Sequence, residues 1–361
     1  MFNSKVLSID IGSQNIKIVL GTQNRRNVTI EKAITMITPI GCYHDGNILD
    51  VTKLKNGISD VLQVENIKCK NIIITTKSTT VITRDIDIPV AKKEDMDSII
   101  KFQMERYLPI KFDDYIMQYK ILEEFEDENI KQAKFAVVVY PKTMVDGYYN
   151  LIKELKGNAV ALDISSNSIN KLFIDNIQVN DENYSLDDTV AVIDLGHDFI
   201  NVNIISEGNV LFTRIINYGG SLIDIDIAKQ LSISEEEAEN QKIKICNLSR
   251  EALSDIQSSM VNDIAKAQVK NWTHEIEKLL NYYKNKKEGN IIDKIYIYGG
   301  SSNLKGIEIF MKDIVNLPIT RIHNLSNVNW SKIKVSNVNP TRIDDELSKF
   351  LNAIGAIIRL R

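Results

Sequence analysis

The sequence predicts an α/β fold of two related lobes, with a smaller α+β unit inserted in the first. Three observations carry that prediction. The stretch Val6 to Gly21, VLSIDIGSQNIKIVLG, returns at Val190 to Ile205 as VAVIDLGHDFINVNII, and two copies of one device imply two halves of one molecule. Around them, strand-like and helix-like periods alternate as in layered α/β folds. From residue 80 to 157 the pattern changes to strand, helix, two strands and helix, a unit of its own.

In each copy an apolar run delivers an aspartate, Asp10 or Asp194, and Gly12 or Gly196 then turns the chain. A second alternating run follows: Ile16, Ile18 and Leu20 in one, Ile200, Val202 and Ile204 in the other. Alternation at period two on both sides of a glycine describes a β-hairpin. A turn glycine lets backbone N–H groups approach an anion closely, and Ser13 adds a hydroxyl donor. An aspartate beside that turn would repel a phosphate, so its presence points to a divalent cation between them, with magnesium the hard, oxygen-seeking choice. Either hairpin alone reads as an ordinary turn; the repeat and a third element favour a site. That element is Ile292 to Gly306, IDKIYIYGGSSNLKG, a buried strand ending in Gly299 and Gly300, with a helix expected from Ser302 or Asn303 as cap.

The other elements follow in order. A third strand is expected near Val28 to Ile37, a glycine-containing loop at Gly41 to Gly46, and a helix from Val51 to Leu62 whose Val51, Leu54, Ile58, Val61 and Leu62 fall at helical spacing. Lys70 to Thr76 is a short apolar strand. In the inserted unit the strand VITRDIDIP precedes a helix from Lys92 to Tyr107, strands near Tyr115 to Leu122 and Lys134 to Tyr140, and a helix from Lys142 to Leu155. Met96, Ile100, Met104 and Tyr107 form a stripe best read as core. Tyr115, Met117, Tyr119 and Ile121 alternate as one buried face, and the acidic run Glu123 to Glu128 reads as a solvated turn. Asn158 to Phe173 is a strand entering a helix, with Ser165 or Ser166 as cap and Asp163 a cap or strand-end residue rather than a catalytic one.

In the second half, a helix from Ser221 to Leu231 follows Gly219 and Gly220, and Ser234 with Glu237 makes a capping box for the next helix. Glu239 and Lys242 share a helical face, which by itself suggests a solvated ion pair. A long amphipathic helix is expected from about Ser249 to Lys286, carrying Ile256, Met260, Ile264, Trp272, Ile276, Leu279 and Tyr283; its basic end at Lys284 to Lys287 suits the helix dipole. Pro318 to Ile322 reads as a strand, Val335 to Arg342 as a loop around Pro340, and Asp344 to Arg361 as a final helix, core-packed in preference to lying on a membrane surface. His197 and Asp198 occupy the second turn, but adjacent residues point opposite ways. Backbone donors there are favoured over acid/base chemistry.

Composition narrows the classes. The chain has 361 residues, 43% of them hydrophobic and 25% charged, ordinary for a globular protein of about two domains. A net charge of −4 gives no general attraction to nucleic acid. Three scattered cysteines, Cys42, Cys69 and Cys246, supply neither a disulfide framework nor a zinc site. The opening residues lack a signal-peptide pattern and no apolar run is long enough to span a bilayer. A cytoplasmic protein is expected.

Asp10-Ile-Gly-Ser13, Asp194-Leu-Gly196 and Tyr298-Gly-Gly300, in this order, resemble the two phosphate loops and the adenosine loop of the actin-like ATPase superfamily, whose fold is a duplicated ribonuclease H-like one. Within it the chain resembles the PilM family of type IV pilus assembly proteins, related to the division protein FtsA. Lys17, Arg84-Asp-Ile-Asp-Ile-Pro89, Tyr107-Leu-Pro-Ile110, Phe212-Thr-Arg214 before Gly219-Gly220, and Glu236-Glu-Ala-Glu-Asn-Gln-Lys242 carry that narrower likeness. The resemblance implies a first lobe of residues 1–79 and 158–189, an FtsA/PilM-type inserted subdomain at 80–157, and a second lobe at 190–361 with a helical part near 220–290.

It further implies ATP with Mg2+ in the interlobe cleft. Asp10 and Asp194 would serve the metal and its waters; the backbone around Gly12, Ser13, Gly196 and His197 would hold phosphates, with Lys17 as a phosphate cation. Glu239, Lys242, Gly299 and Gly300 would meet the nucleoside, and Gln14, Gly219, Gly220 and Ser301 would also bind the cofactor. The implied partners are the N-terminal cytoplasmic peptide of a PilN-like inner-membrane protein, received between the inserted unit and the first lobe, and the pilus assembly motor. That would place a scaffold at the inner face of the cytoplasmic membrane through its partners. Arg84, Ile88 and Tyr107 lie on segments near that groove. Two departures bear on catalysis: Ser, Asn and Asp stand after residue 162 where relatives place a water-orienting Gln or Glu, and Phe199 replaces a common Thr. At most a weak ATPase is expected. A filament-forming, FtsA-like division or segregation ATPase remains the alternative, ahead of a small-molecule kinase.

Overall fold

The computed structural model describes residues 5–127, 130–249, 255–330 and 346–360. Both predicted hairpins form. Val6–Ile11 pairs antiparallel with Asn15–Asn24, and Val190–Leu195 pairs antiparallel with Ile200–Ser206. Around each hairpin the same sheet is built: a third antiparallel strand on one side (Asn27–Ile37; Asn209–Ile216) and two parallel strands on the other (Asn71–Thr76 then Asn158–Ile164; Lys294–Tyr298 then Ile319–Arg321). The repeat in sequence is thus a repeat in topology. Strands so rich in Ile, Val and Leu are buried on both faces, as parallel sheets covered by helices require.

Helix Val51–Val64 begins at Asp50, whose side chain accepts from the Lys53 N–H, and sets Leu54 and Ile58 into the first lobe. In the second lobe, Ser234 caps Glu235–Ile245 by accepting from the Glu237 N–H, as the capping box predicts. The long helix starts later than expected. Asp255 caps it by accepting from the Ser258 N–H, and it runs Ile256–Lys286 with Trp272 and Ile276 fully buried while Ile256 faces solvent.

The inserted unit is a three-stranded antiparallel sheet, Ile82–Pro89, Ile130–Pro141 and Tyr115–Asp127, with the second strand central. Met96, Ile100 and Met104 of helix Lys93–Tyr107 pack on Ile86, Ile88, Phe135 and Val137. Tyr107 does not join that core; it is 53% exposed and lies under the Arg84 guanidinium, 5.4 Å from ring centroid to Cζ. The alternating face also ends early, since Ile121 is exposed. Glu123 to Asp127 form strand rather than a turn, because Glu123 lies opposite Lys134 and Glu126 opposite Lys131; residue 128 is outside the described residues.

Two parts of the C-terminal region lie on the first sheet, although the sequence places them with the second lobe. Val328–Asn329 extends that sheet beside Val28, and helix Leu347–Ile357 packs across the strands of its first hairpin and on the short helix Ser165–Asn170. Its buried Phe350, Leu351, Ile354 and Ile357 share one core with Val19 and Ile30 of the first sheet and Val192 and Tyr296 of the second. It is a core helix, not a membrane-surface one. The expected loop at 335–342 and the helix start at Asp344 lie outside the described residues. No helix among the described residues is long and apolar enough to cross a membrane.

Candidate functional site

A cleft of about 400 Å³ lies where the two hairpin turns face each other across the lobes. The turns close in the same way: the Gly12 N–H donates to the Asn15 carbonyl and the Gly196 N–H to the Phe199 carbonyl, each at 3.1 Å. Asp10 and Asp194 end their strands inside the cleft, both buried. Lys17 stands opposite Asp10 in the hairpin register, with Nζ 4.0 Å from Oδ2. Asp194 accepts from Lys77 Nζ at 2.8 Å and from Asn352 Nδ2 at 3.3 Å; the Tyr298 hydroxyl in turn donates to Asn352 Oδ1 at 2.9 Å.

Burial raises the Asp10 carboxyl above the usual range; Lys17 and Lys77 pull it back, and Asp194 adds to the rise. On Lys77, burial opposes the charge, but Asp194 and then Asp10 outweigh it and raise the ammonium above its ordinary value. Burial lowers His197, against the upward pull of Asp198. The chemistry at the turns is therefore paired charge: Lys17 faces Asp10 and Lys77 faces Asp194.

Tyr298 leads into Gly299, whose φ of +92° and place against Asp194 leave no room for a side chain; a Cβ there would come 2.3 Å from Asp194 Oδ1. The helix expected at Ser302 or Asn303 does not start there. Gly300–Asn303 is a single 3-10 turn, because the Ser302 hydroxyl donates back to the Gly299 carbonyl, and the helix begins at Ile307. Ser301 Oγ ties this loop to the second turn by donating to the Gly196 carbonyl at 3.0 Å.

Of the predicted site residues, Asp10, Gly12, Ser13, Gln14, Lys17, Asp194, Gly196, His197, Gly220, Glu239, Lys242, Gly299, Gly300 and Ser301 line this cleft. Gly219 does not. It packs on the second turn, where a Cβ would meet the His197 carbonyl oxygen at 1.9 Å. Glu239 and Lys242 do not form the simple pair their spacing suggests. Lys242 is buried and takes Asp224 at 2.7 Å, while Glu239 accepts from Gln14 Nε2 at 2.9 Å, a bond across the lobes.

Asp163 lies away from the cleft. Its Oδ1 accepts from the Ile164 N–H and Asn167 Nδ2, and its Oδ2 from Lys171 Nζ at 2.6 Å. Ser165, expected as a cap, donates instead to the Thr76 carbonyl.

The sequence singles out none of Lys77, Tyr43, Asp45, Lys349 and Asn352, all of which line the cleft. Two left a trace. Lys77 follows the carboxyl end of a strand parallel to the first, the end at which open α/β sheets place ligands. Asn352 is a polar residue amid the apolar run of the last helix.

No group of three or more His, Cys, Asp or Glu residues suited to a metal occurs among the described residues. A fully protein-ligated metal is therefore not what the cleft fits. Magnesium held through water and phosphate needs only one or two carboxylates, and the buried Asp10 and Asp194 fit that pattern.

The family model for type IV pilus assembly protein PilM matches residues 8–361. The chain belongs to the PilM family. Among solved structures, this PilM-family chain is similar to a PilM-PilN type IV pilus biogenesis complex, with 17% identity, a TM-score of 0.81, and 99% of this chain and 98% of that one covered. It is similar also to the ethanolamine utilization protein EutJ from Carboxydothermus hydrogenoformans (10% identity, TM-score 0.57, coverage 99% and 91%). MreB5 of Spiroplasma citri bound to ADP matches with 14% identity, a TM-score of 0.53 and coverage of 88% and 92%. The fold is the actin-like ATPase fold, and the duplicated sheets described above are its two lobes.

Proposed function

We propose that the cleft binds ATP with Mg2+ and that the protein is a scaffold of type IV pilus assembly, taking the N-terminal cytoplasmic peptide of a PilN-like inner-membrane protein and linking it to the assembly motor. The observation that carries the nucleotide reading is the facing pair of glycine turns, each with a buried aspartate and an ammonium beside it. Turn N–H groups and lysines suit phosphates; Asp10 and Asp194 would hold the waters of the metal; Glu239, Lys242 and the loop at Gly299 to Ser301 would meet the nucleoside. When bound, the metal would neutralise phosphate charge.

A scaffold rather than a fast enzyme is favoured by Asp163, the acidic residue at the strand-to-helix junction where relatives place a water-orienting Gln or Glu: it lies away from the cleft and is paired with Lys171 at 2.6 Å. The partner reading rests on family membership and on the inserted unit, whose exposed Arg84–Tyr107 stack lies at its border with the first lobe. Peripheral association with the membrane would follow from that partner.

The test is to denature the purified protein and identify any released nucleotide by chromatography, alongside titration of a synthetic PilN-like N-terminal peptide. Intact ATP and saturable peptide binding support the reading. Absence of binding by both added Mg-ATP and the peptide overturns it.

A further inference from the structure

The two hairpins pair their strands alike and differ in where the cation beside the aspartate comes from. Opposite Asp10 in the register stands Lys17; opposite Asp194 stands Asn201. The ammonium serving Asp194 comes instead from Lys77 of the other lobe, 2.8 Å away. It lies against Gly196, 2.9 Å from where a Cβ would be, as the Lys17 ammonium lies 3.3 Å from a Cβ at Gly12. The second turn is therefore complete only while the lobes meet.

Lys77 also stands in the wall between two cavities. Its ammonium faces the nucleotide cleft, while the chain from Thr76 to Thr79 borders a second cavity, also about 400 Å³, walled by Arg84 of the inserted unit, Ser165 of the first lobe and Thr213 of the second. Among the described residues, Lys77 alone borders both. The segment after it is stiffly held: Thr79 N–H donates to Asp45 at 2.9 Å, and Ser78 and Thr80 share a hydroxyl bond at 2.8 Å. Because Lys77 itself lines the second cavity, a change in its position changes that cavity's wall.

We propose that Lys77 senses the terminal phosphate: when nucleotide and divalent cation enter, Lys77 leaves Asp194 for the phosphate, and its segment reshapes the second cavity at the inserted unit. This rests on the nucleotide reading above. The charge balance supports it. Without ligand, Asp10 and Asp194 are matched by Lys17 and Lys77. A divalent cation satisfies both carboxylates and leaves two ammoniums whose natural partners are phosphate oxygens. A triphosphate offers one more ionised group than a diphosphate, so the second ammonium, the one from across the cleft, distinguishes them. Because coupling is reciprocal, a ligand in the second cavity would then alter nucleotide preference.

The test uses nucleotide-stripped wild type, Lys77→Met and Lys77→Arg, with fluorescent ATP and ADP analogues in Mg2+ and hydrogen exchange over residues 76–84. Wild type and Lys77→Arg are expected to prefer the triphosphate. Lys77→Met is expected to reduce that preference by about tenfold, the effect of one charge-assisted contact, and to lose the ATP-dependent exchange change at 76–84. Unchanged preference in folded Lys77→Met overturns the proposal while leaving the nucleotide reading intact. If that variant does not fold, wild-type exchange decides: a difference between ATP and ADP at 76–84 supports the proposal and none overturns it. Wild type that binds neither analogue overturns the nucleotide reading and this proposal together.

Discussion

Replacing Lys171 by Met separates a structural Asp163 from a catalytic one. The two form an ion pair of 2.6 Å with side chains 4% and 6% exposed, and the same ammonium reaches the Ala356 carbonyl at 3.4 Å in the C-terminal helix. Burial lowers the Lys171 pKa, with Asp163 opposing that shift. Removing one partner of so buried a pair leaves a charge without compensation, an effect of about 3–5 kcal/mol, whereas an exposed pair would contribute under about 1 kcal/mol. Asp163 would keep its bonds from the Ile164 N–H and Asn167, which favours the lower part of that range. Urea unfolding followed by tryptophan fluorescence suits the question, since Trp330 lies in the same core as Ile169 and Phe350. The double variant Asp163→Asn, Lys171→Met should regain much of the loss, because no lone charge remains. A loss under about 1 kcal/mol in Lys171→Met, with no coupling in the double variant, would refute the buried-pair reasoning.

Other expectations follow from the same geometry. Gly355→Ala places a Cβ 1.9 Å from the Ser168 carbonyl oxygen and should destabilise by about 1–3 kcal/mol or more as two packed helices are forced apart; an unchanged melting temperature would show that the helices yield freely. Burial holds His197 below its ordinary 6.5, so the unfolded chain takes up the proton first; the stability tied to the neutral ring is whole above 6.5 and is lost as pH falls through the folded value. Wild type should therefore lose more stability than His197→Gln on acidification, and equal losses across melts at several pH values would count against it. Asp10→Ala should weaken Mg-nucleotide binding by at least about tenfold with circular dichroism unchanged; undiminished affinity would remove Asp10 from the metal's surroundings.

The hairpins, the capping box at Ser234 and the inserted strands are readable in sequence because each depends on neighbours within a few residues. Asp10 and Asp194 are readable for the same reason, each being fixed by the glycine two residues on. What escapes is whatever the second lobe takes from the first. Lys77 has no motif of its own and becomes a site residue only because its strand runs parallel to the one carrying Asp10. Asn352 reaches Asp194 from a helix 158 residues away in sequence. The Glu239 and Lys242 spacing is real, but burial gives Lys242 to Asp224 and leaves Glu239 for Gln14 across the cleft. Tyr107 has the right spacing for core yet is the last residue of its helix, where its ring stays exposed and stacks with Arg84 instead.

Calorimetric titration of nucleotide-stripped protein with ATP, in Mg2+ and again in excess chelator, tests metal-dependent nucleotide binding in the cleft. One saturable site per chain is expected, weakening strongly without the metal and in Asp10→Ala or Asp194→Ala. Binding that is indifferent to metal and to both aspartates, or no binding at millimolar ATP, would contradict it.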